Sequence, residues 1–121
     1  MREIKFKGLD RNDGKVKEVE KIDFTNKLVL FKKEDGWVDF NNTELMQYTG
    51  FNDKNSMEIF EGYICKIDGA DVEENDSFIV KMDEFGRYVL ARPYMTFPFA
   101  NVKQNEIEVI GNIYENPELL H

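Results

Sequence analysis

Apolar and polar positions alternate with a period of two along much of the chain, the signature of half-buried strands rather than helices. The opening stretch "REIKFKGL" sets Ile4 and Phe6 on one face and Glu3, Lys5 and Lys7 on the other. "DRNDG" then reads as a turn, because Asn-Asp-Gly accepts positive φ. In "KVKEVEKIDF", Val16, Val19 and Ile22 fit a helical spacing, whereas Ile22 and Phe24 fit a strand. Extended structure with an irregularity is expected there. "KLVLFKK" is a short strand, "EDGW" a turn, and "WVDF" resumes the alternation. "TELMQYTG" fits either a strand or a short helical turn. Asn52, Asp53, Lys54 and Asn55 form a tight polar loop, after which "MEIFEGYICKI" returns to strands. "SFIVKMD" and "RYVLARP" predict a hairpin around Asp83-Glu84-Phe85-Gly86. "YMTFPFANV" is interrupted by Pro98, which suits an edge or a crossing rather than a central strand. "NEIEVIGNIY" is the last strand, and "PELL" can add one helical turn with Asn116 as its N-cap.

Many short strands at close intervals predict a mainly β protein with minor α content, a small barrel or roll rather than a βαβ unit. At 121 residues the chain is one domain, or one domain with an appendage. The natural boundary is the polar loop, separating a β-containing region 1–52 from a C-terminal region 53–121. No apolar run approaches the length of a membrane span, and the charged N-terminus is not a signal peptide.

The net charge of −8 changes the expected partners. Phosphate backbones repel such a surface unless its basic residues gather on one face, and the longest basic run is Lys32-Lys33. Nucleic acid is therefore disfavoured. A compact acidic domain could instead act as a decoy for a DNA-binding site. A single cysteine, Cys65, excludes an internal disulfide and fits a reducing cytoplasm.

Candidate chemistry is sparse. "DRNDGK" begins like a calcium loop, but Gly14 stands one place early and Lys21 occupies the position that needs a bidentate glutamate. The loop beginning at Asp53 fails likewise, at Glu58 and Ile64. His121 is the only histidine, so neither a zinc site nor a Ser–His–Asp triad can be assembled. The loop Asp71–Asp76 carries Asp71, Glu73, Glu74 and Asp76, and reads as a solvated acidic loop. No catalytic, cofactor or metal residues are expected, and the chain reads as a non-enzyme. The distinctive feature is "RPYMTFPFANV", with Tyr94, Met95, Phe97 and Phe99 crowded together. It is either a cap on the core or an interface, where aromatics and Met are enriched. Trp37 is a weaker interface candidate.

Three stretches resemble the YopX family of small phage and prophage proteins: "MREIKFKGLD", "LMQYTGFNDKNSMEIFEGYI" and "IEVIGNIYENPELL". The chain departs from the family pattern at Ser56, where glycine is usual, and at Tyr63, where an aspartate usually follows the Glu-Gly pair. The resemblance implies a C-terminal SH3-type β-roll closed by "EVIGNIY", with Gly111 allowing a bulge and Leu119 or Leu120 tucked against it. It brings no assigned activity. It implies a phage or prophage accessory protein acting in the host cytoplasm by protein contact, as a homo-oligomer or with a host or phage partner. The alternative is a nucleic-acid-associated SH3-like module.

Overall fold

The computed structural model describes residues 5–69, 72–73 and 76–120. Strands β1 (Phe6–Asp10), β2 (Lys15–Asp23), β3 (Leu28–Phe31), β4 (Val38–Asp39), β5 (Thr43–Asn52) and β6 (Glu58–Phe60) form one sheet in the order β4-β3-β2-β1-β5-β6. Strands β7 (Tyr63–Ile67), β8 (Phe78–Met82), β9 (Tyr88–Arg92), β10 (Met95–Pro98) and β11 (Ile107–Asn112) form a second, in the order β10-β9-β8-β7-β11. All pairings are antiparallel. The helical content among the described residues is four single 3-10 turns.

The alternation read from the sequence is what the sheets use. In β5, Met46 and Tyr48 turn inward, and the stretch that could have been helical is a ten-residue strand. Pairing decides it: β5 lies between β1 and β6, so both of its edges are hydrogen-bonded. The irregularity expected in β2 is a register shift between Val19 and Lys21. The hairpin β8–β9 pairs Met82 with Tyr88 across the Asp83–Gly86 turn. Asp83 organises that turn by accepting from the amides of Phe85 and Arg87. Positions 2–4 of the expected first strand lie outside the described residues.

The C-terminal sheet has five strands but is open, with β10 and β11 as its two edges. No closed barrel forms, so closure of the expected roll is not found. β6 follows the polar loop in sequence yet pairs with β5, and the change of sheet falls at Glu61-Gly62. One core spans both sheets. Met46, Tyr48, Ile59 and Phe60 pack with Cys65, Phe78, Val80, Leu90, Phe99 and Ile107. Apolar burial of this kind contributes about 25 cal/mol per Å² removed from water.

Candidate functional site

Two regions hold the unusual residues: the seam where β11 meets the loop after β5, and the aromatic segment around β10.

The seam is built around Asp53. Its side chain is buried, at 1% exposure. One carboxylate oxygen accepts from the amides of Asn55 (2.8 Å) and Met57 (2.9 Å), and the other accepts from Val109 of β11 (2.9 Å). The Asp53 carbonyl accepts from the Gln104 side chain, and the Lys54 amide donates to the Ile107 carbonyl. Burial, the largest single influence, pushes the Asp53 carboxyl up. The three amide donors from Val109, Met57 and Asn55 together outweigh it and hold the group below its ordinary range. Asp53 is thus ionised and consumed by structure. The polar loop that resembled a failed calcium site is a clip between the sheets. Nearby, Cys65 is fully buried, and burial followed by the Asp53 charge pushes its thiol up to about 12. It is protonated and packed, not a nucleophile.

Val109 begins a bulge. The register of β11 against β7 shifts between Val109 and Gly111, so Ile110 has no partner. A Cβ on Gly111 would lie 2.6 Å from the Asn116 side-chain oxygen, so only glycine lets Asn116 lie against the strand. That oxygen accepts from the Asn112 amide (3.1 Å). Asn112 in turn accepts from the amides of Tyr114 and Glu115 and donates to the Glu115 carboxylate. Glu115 also accepts from the Val16 amide of β2, in the other sheet (3.1 Å). Asn116 stands at the N-cap position of the final 3-10 turn, as expected, but its side chain makes no cap bond there. It reaches backward to β11 instead. The tail is held by its backbone: the Leu119 carbonyl accepts from the Ser77 hydroxyl (2.7 Å), while Leu120 is exposed.

The centre of the chain closes the seam. The Glu61 carboxylate accepts from the Gln47 amide (2.8 Å). Gly62, at φ 82°, donates to the Val80 carbonyl and accepts from the Ile113 amide, joining β8 to the segment after β11. Ser56 adopts φ 64°, the left-handed conformation that glycine would adopt without cost. Tyr63 is buried, and its hydroxyl accepts from the Lys7 ammonium (3.0 Å).

The aromatic segment divides. Phe97 packs edge-on against Phe78 at 5.7 Å, and Met95 lies against the same core. Phe99 is 3% exposed, beneath Phe51, whose ring stacks on it at 4.8 Å. Tyr94 is fully exposed at φ 67°. Trp37 is exposed beside β4, in the other sheet, and the structure does not bring it to this segment. Shallow grooves flank the Phe51–Phe99 pair. One of about 260 Å³ is lined by Tyr48, Asn52 and Gln104 among others, and one of about 320 Å³ by Arg87, Pro98 and Asn101 among others. Phe51 is the residue the sequence reading missed. Its signal was an exposed-face phenylalanine in a strand whose other face is core.

Of the acidic loop, Asp71 and Glu74 lie outside the described residues, as does His121. Asp76 pairs with Arg92 at 2.6 Å. Among the described residues no group of three acidic, cysteine or histidine side chains is placed to hold a metal ion. No helix among them is long and apolar enough to cross a membrane.

The family described as YopX protein matches residues 3–121. Among solved structures, protein EF1440 from Enterococcus faecalis is 27% identical over the whole of both chains, with a TM-score of 0.74. Protein yopX from Bacillus subtilis is 20% identical, covers all of this chain and 98% of its own, and superposes with a TM-score of 0.60. No curated protein matches. Of the stretches that carried the resemblance, "LMQYTGFNDKNSMEIFEGYI" and "IEVIGNIYENPELL" build the seam, and with the match over nearly its entire length the chain belongs to the YopX family.

Proposed function

We propose that this chain is a non-catalytic accessory protein, of the phage or prophage kind the family resemblance implies, that works by protein contact. The observation that carries the reading is the surface running from Tyr94 along β10 to the Phe51–Phe99 stack. No charged residue stands between Arg92 and Lys103, in a chain where 33% of residues are charged. That surface presents a fully exposed Tyr94, a half-exposed Phe51 and two grooves edged by polar side chains, the combination of aromatic anchors and polar rim that protein interfaces use. Elsewhere, polar groups are spent on structure: among the described residues no buried side-chain polar atom lacks a partner.

The test uses Phe51→Ser combined with Tyr94→Ala, both at exposed positions. A protein captured from host lysate by the wild type is purified, and its Kd for wild type and variant is compared. The reading expects a rise of about tenfold or more for the variant, with an unchanged circular dichroism spectrum. An unchanged Kd overturns it.

A further inference from the structure

Sheet edges expose unpaired amides and carbonyls, and proteins guard them with short length, charge, proline, bulges or covering loops. The four edges here can be compared. β4 has two residues and carries Asp39. β6 has three, and its Glu58 is paired with Lys5. β11 is bulged, and the loop after β5 and Asn116 take up its Val109 and Asn112 amides and its Ile107 carbonyl. β10 has four residues, pairs only with β9, and carries no charge. No backbone hydrogen bond from a described loop or turn reaches it. Its guards stand only at its ends, where Pro98 lacks an amide and Tyr94 leaves the extended region.

We propose that β10 pairs antiparallel with β10 of a second copy of this chain, across a two-fold axis at Thr96, joining the two five-stranded sheets into one of ten. This rests on the reading of the β10 surface as a contact surface and names its occupant. The strand's own sequence selects that occupant, because Met-Thr-Phe is self-complementary about Thr96. Charge opposes close approach of two copies at −8 each wherever carboxylates crowd the contact. The segment between Arg92 and Lys103 contains none. Symmetry fixes the register: with Thr96 opposite Thr96, Met95 of one copy faces Phe97 of the other, and Tyr94 faces Pro98. Met95 and Phe97 lie on the face that packs against the core, so their pairing extends each copy's apolar layer across the axis. Thr96 is exposed on the opposite face, where Thr–Thr pairs are favourable in antiparallel sheets. Pro98 and Tyr94 end the ladder after a few residues, which gives a closed dimer rather than an open fibre.

The test is molar mass by light scattering across a concentration series at low and moderate salt. Wild type is expected to approach twice 14.3 kDa at high concentration, and to do so more readily at moderate salt as the mutual repulsion is screened. Thr96→Glu and Thr96→Lys each set like charges against each other at the axis, so each alone is expected to stay at 14.3 kDa. Mixed in equal amounts, they are expected to recover the doubled mass. Because Thr96 is exposed, both variants should keep the wild-type unfolding midpoint at dilutions where wild type is itself monomeric. A wild type that stays monomeric overturns the pairing, and so does a Thr96→Glu chain that dimerises like wild type. The lysate partner's Kd separates the two readings: a monomeric wild type whose partner binding still responds to Phe51→Ser sinks the dimer alone.

Discussion

β10 and β11 are the two edges of one sheet, yet they are finished in opposite ways. Along β11, Asp53, Asn116 and Lys54 take up backbone groups that an edge would otherwise expose, and a bulge breaks the ladder. Along β10 no described loop or turn does anything comparable, and the segment is aromatic and uncharged. The central and closing stretches that mark the family supply the sealed edge and its supports, whereas β10 lies outside all three; Phe51, in the central stretch, is where the two regions meet.

The largest effect expected on this comparison comes from Asp53→Ala. It strips the acceptor from three amides and unclips β11 from the loop after β5. Leaving buried donors unpaired costs about 1–3 kcal/mol each before relaxation, so a loss of about 3–5 kcal/mol is expected in urea unfolding. A loss below about 1 kcal/mol would show that water replaces the carboxylate and that the edge is not sealed by it.

Gly111→Ala should cost less, about 1–3 kcal/mol, because the new methyl displaces Asn116 from the strand. In the Asn116→Ala background the same substitution should cost little, since the clash is gone. Equal costs in both backgrounds would remove Asn116 from the account.

The pH dependence follows from the Asp53 carboxyl, which is held below its ordinary value of 3.8 in the folded state. Its contribution is fully present above pH 3.8 and is lost as pH falls through the lower folded value. Stability measured from pH 6 to pH 2 should therefore fall more steeply for wild type than for Asp53→Asn, which cannot ionise. Parallel curves would place the acid sensitivity elsewhere.

The smallest effect is a gain. Ser56 holds a left-handed conformation at 64° in the same loop, so Ser56→Gly should stabilise the protein by about 1 kcal/mol. A loss would mean that the serine makes up for its strain.

The strands were legible because the period of two survives in nearly every one, and even the irregularity in β2 showed as a conflict between two spacings. The "TELMQYTG" stretch stayed ambiguous because its conformation depends on β1 and β6 lying on both sides, which no local pattern encodes. The fate of Asp53 was illegible for a similar reason. Asn-Asp-Lys-Asn describes a turn equally well whether its carboxylate faces water or the Val109 amide, 56 residues away. Pro98 excluded a central strand and left an edge or a crossing, since a missing amide is a local property, and β10 is an edge. Crowding of Tyr94, Met95, Phe97 and Phe99 marked the segment without separating its exposed residue, Tyr94, from the buried Phe99. Burial of Phe99 depends on Phe51, which lies far away in sequence.

Amide hydrogen exchange, resolved by residue, tests the contrast between the two edges most directly. In wild type and in Thr96→Glu, the Val109 and Asn112 amides should exchange only through global unfolding, among the slowest in the protein. The outward amides of β10 should exchange quickly in Thr96→Glu and slow down in wild type as its concentration rises. Fast exchange at Val109, or protection at β10 that is the same in both chains at every concentration, would contradict the account.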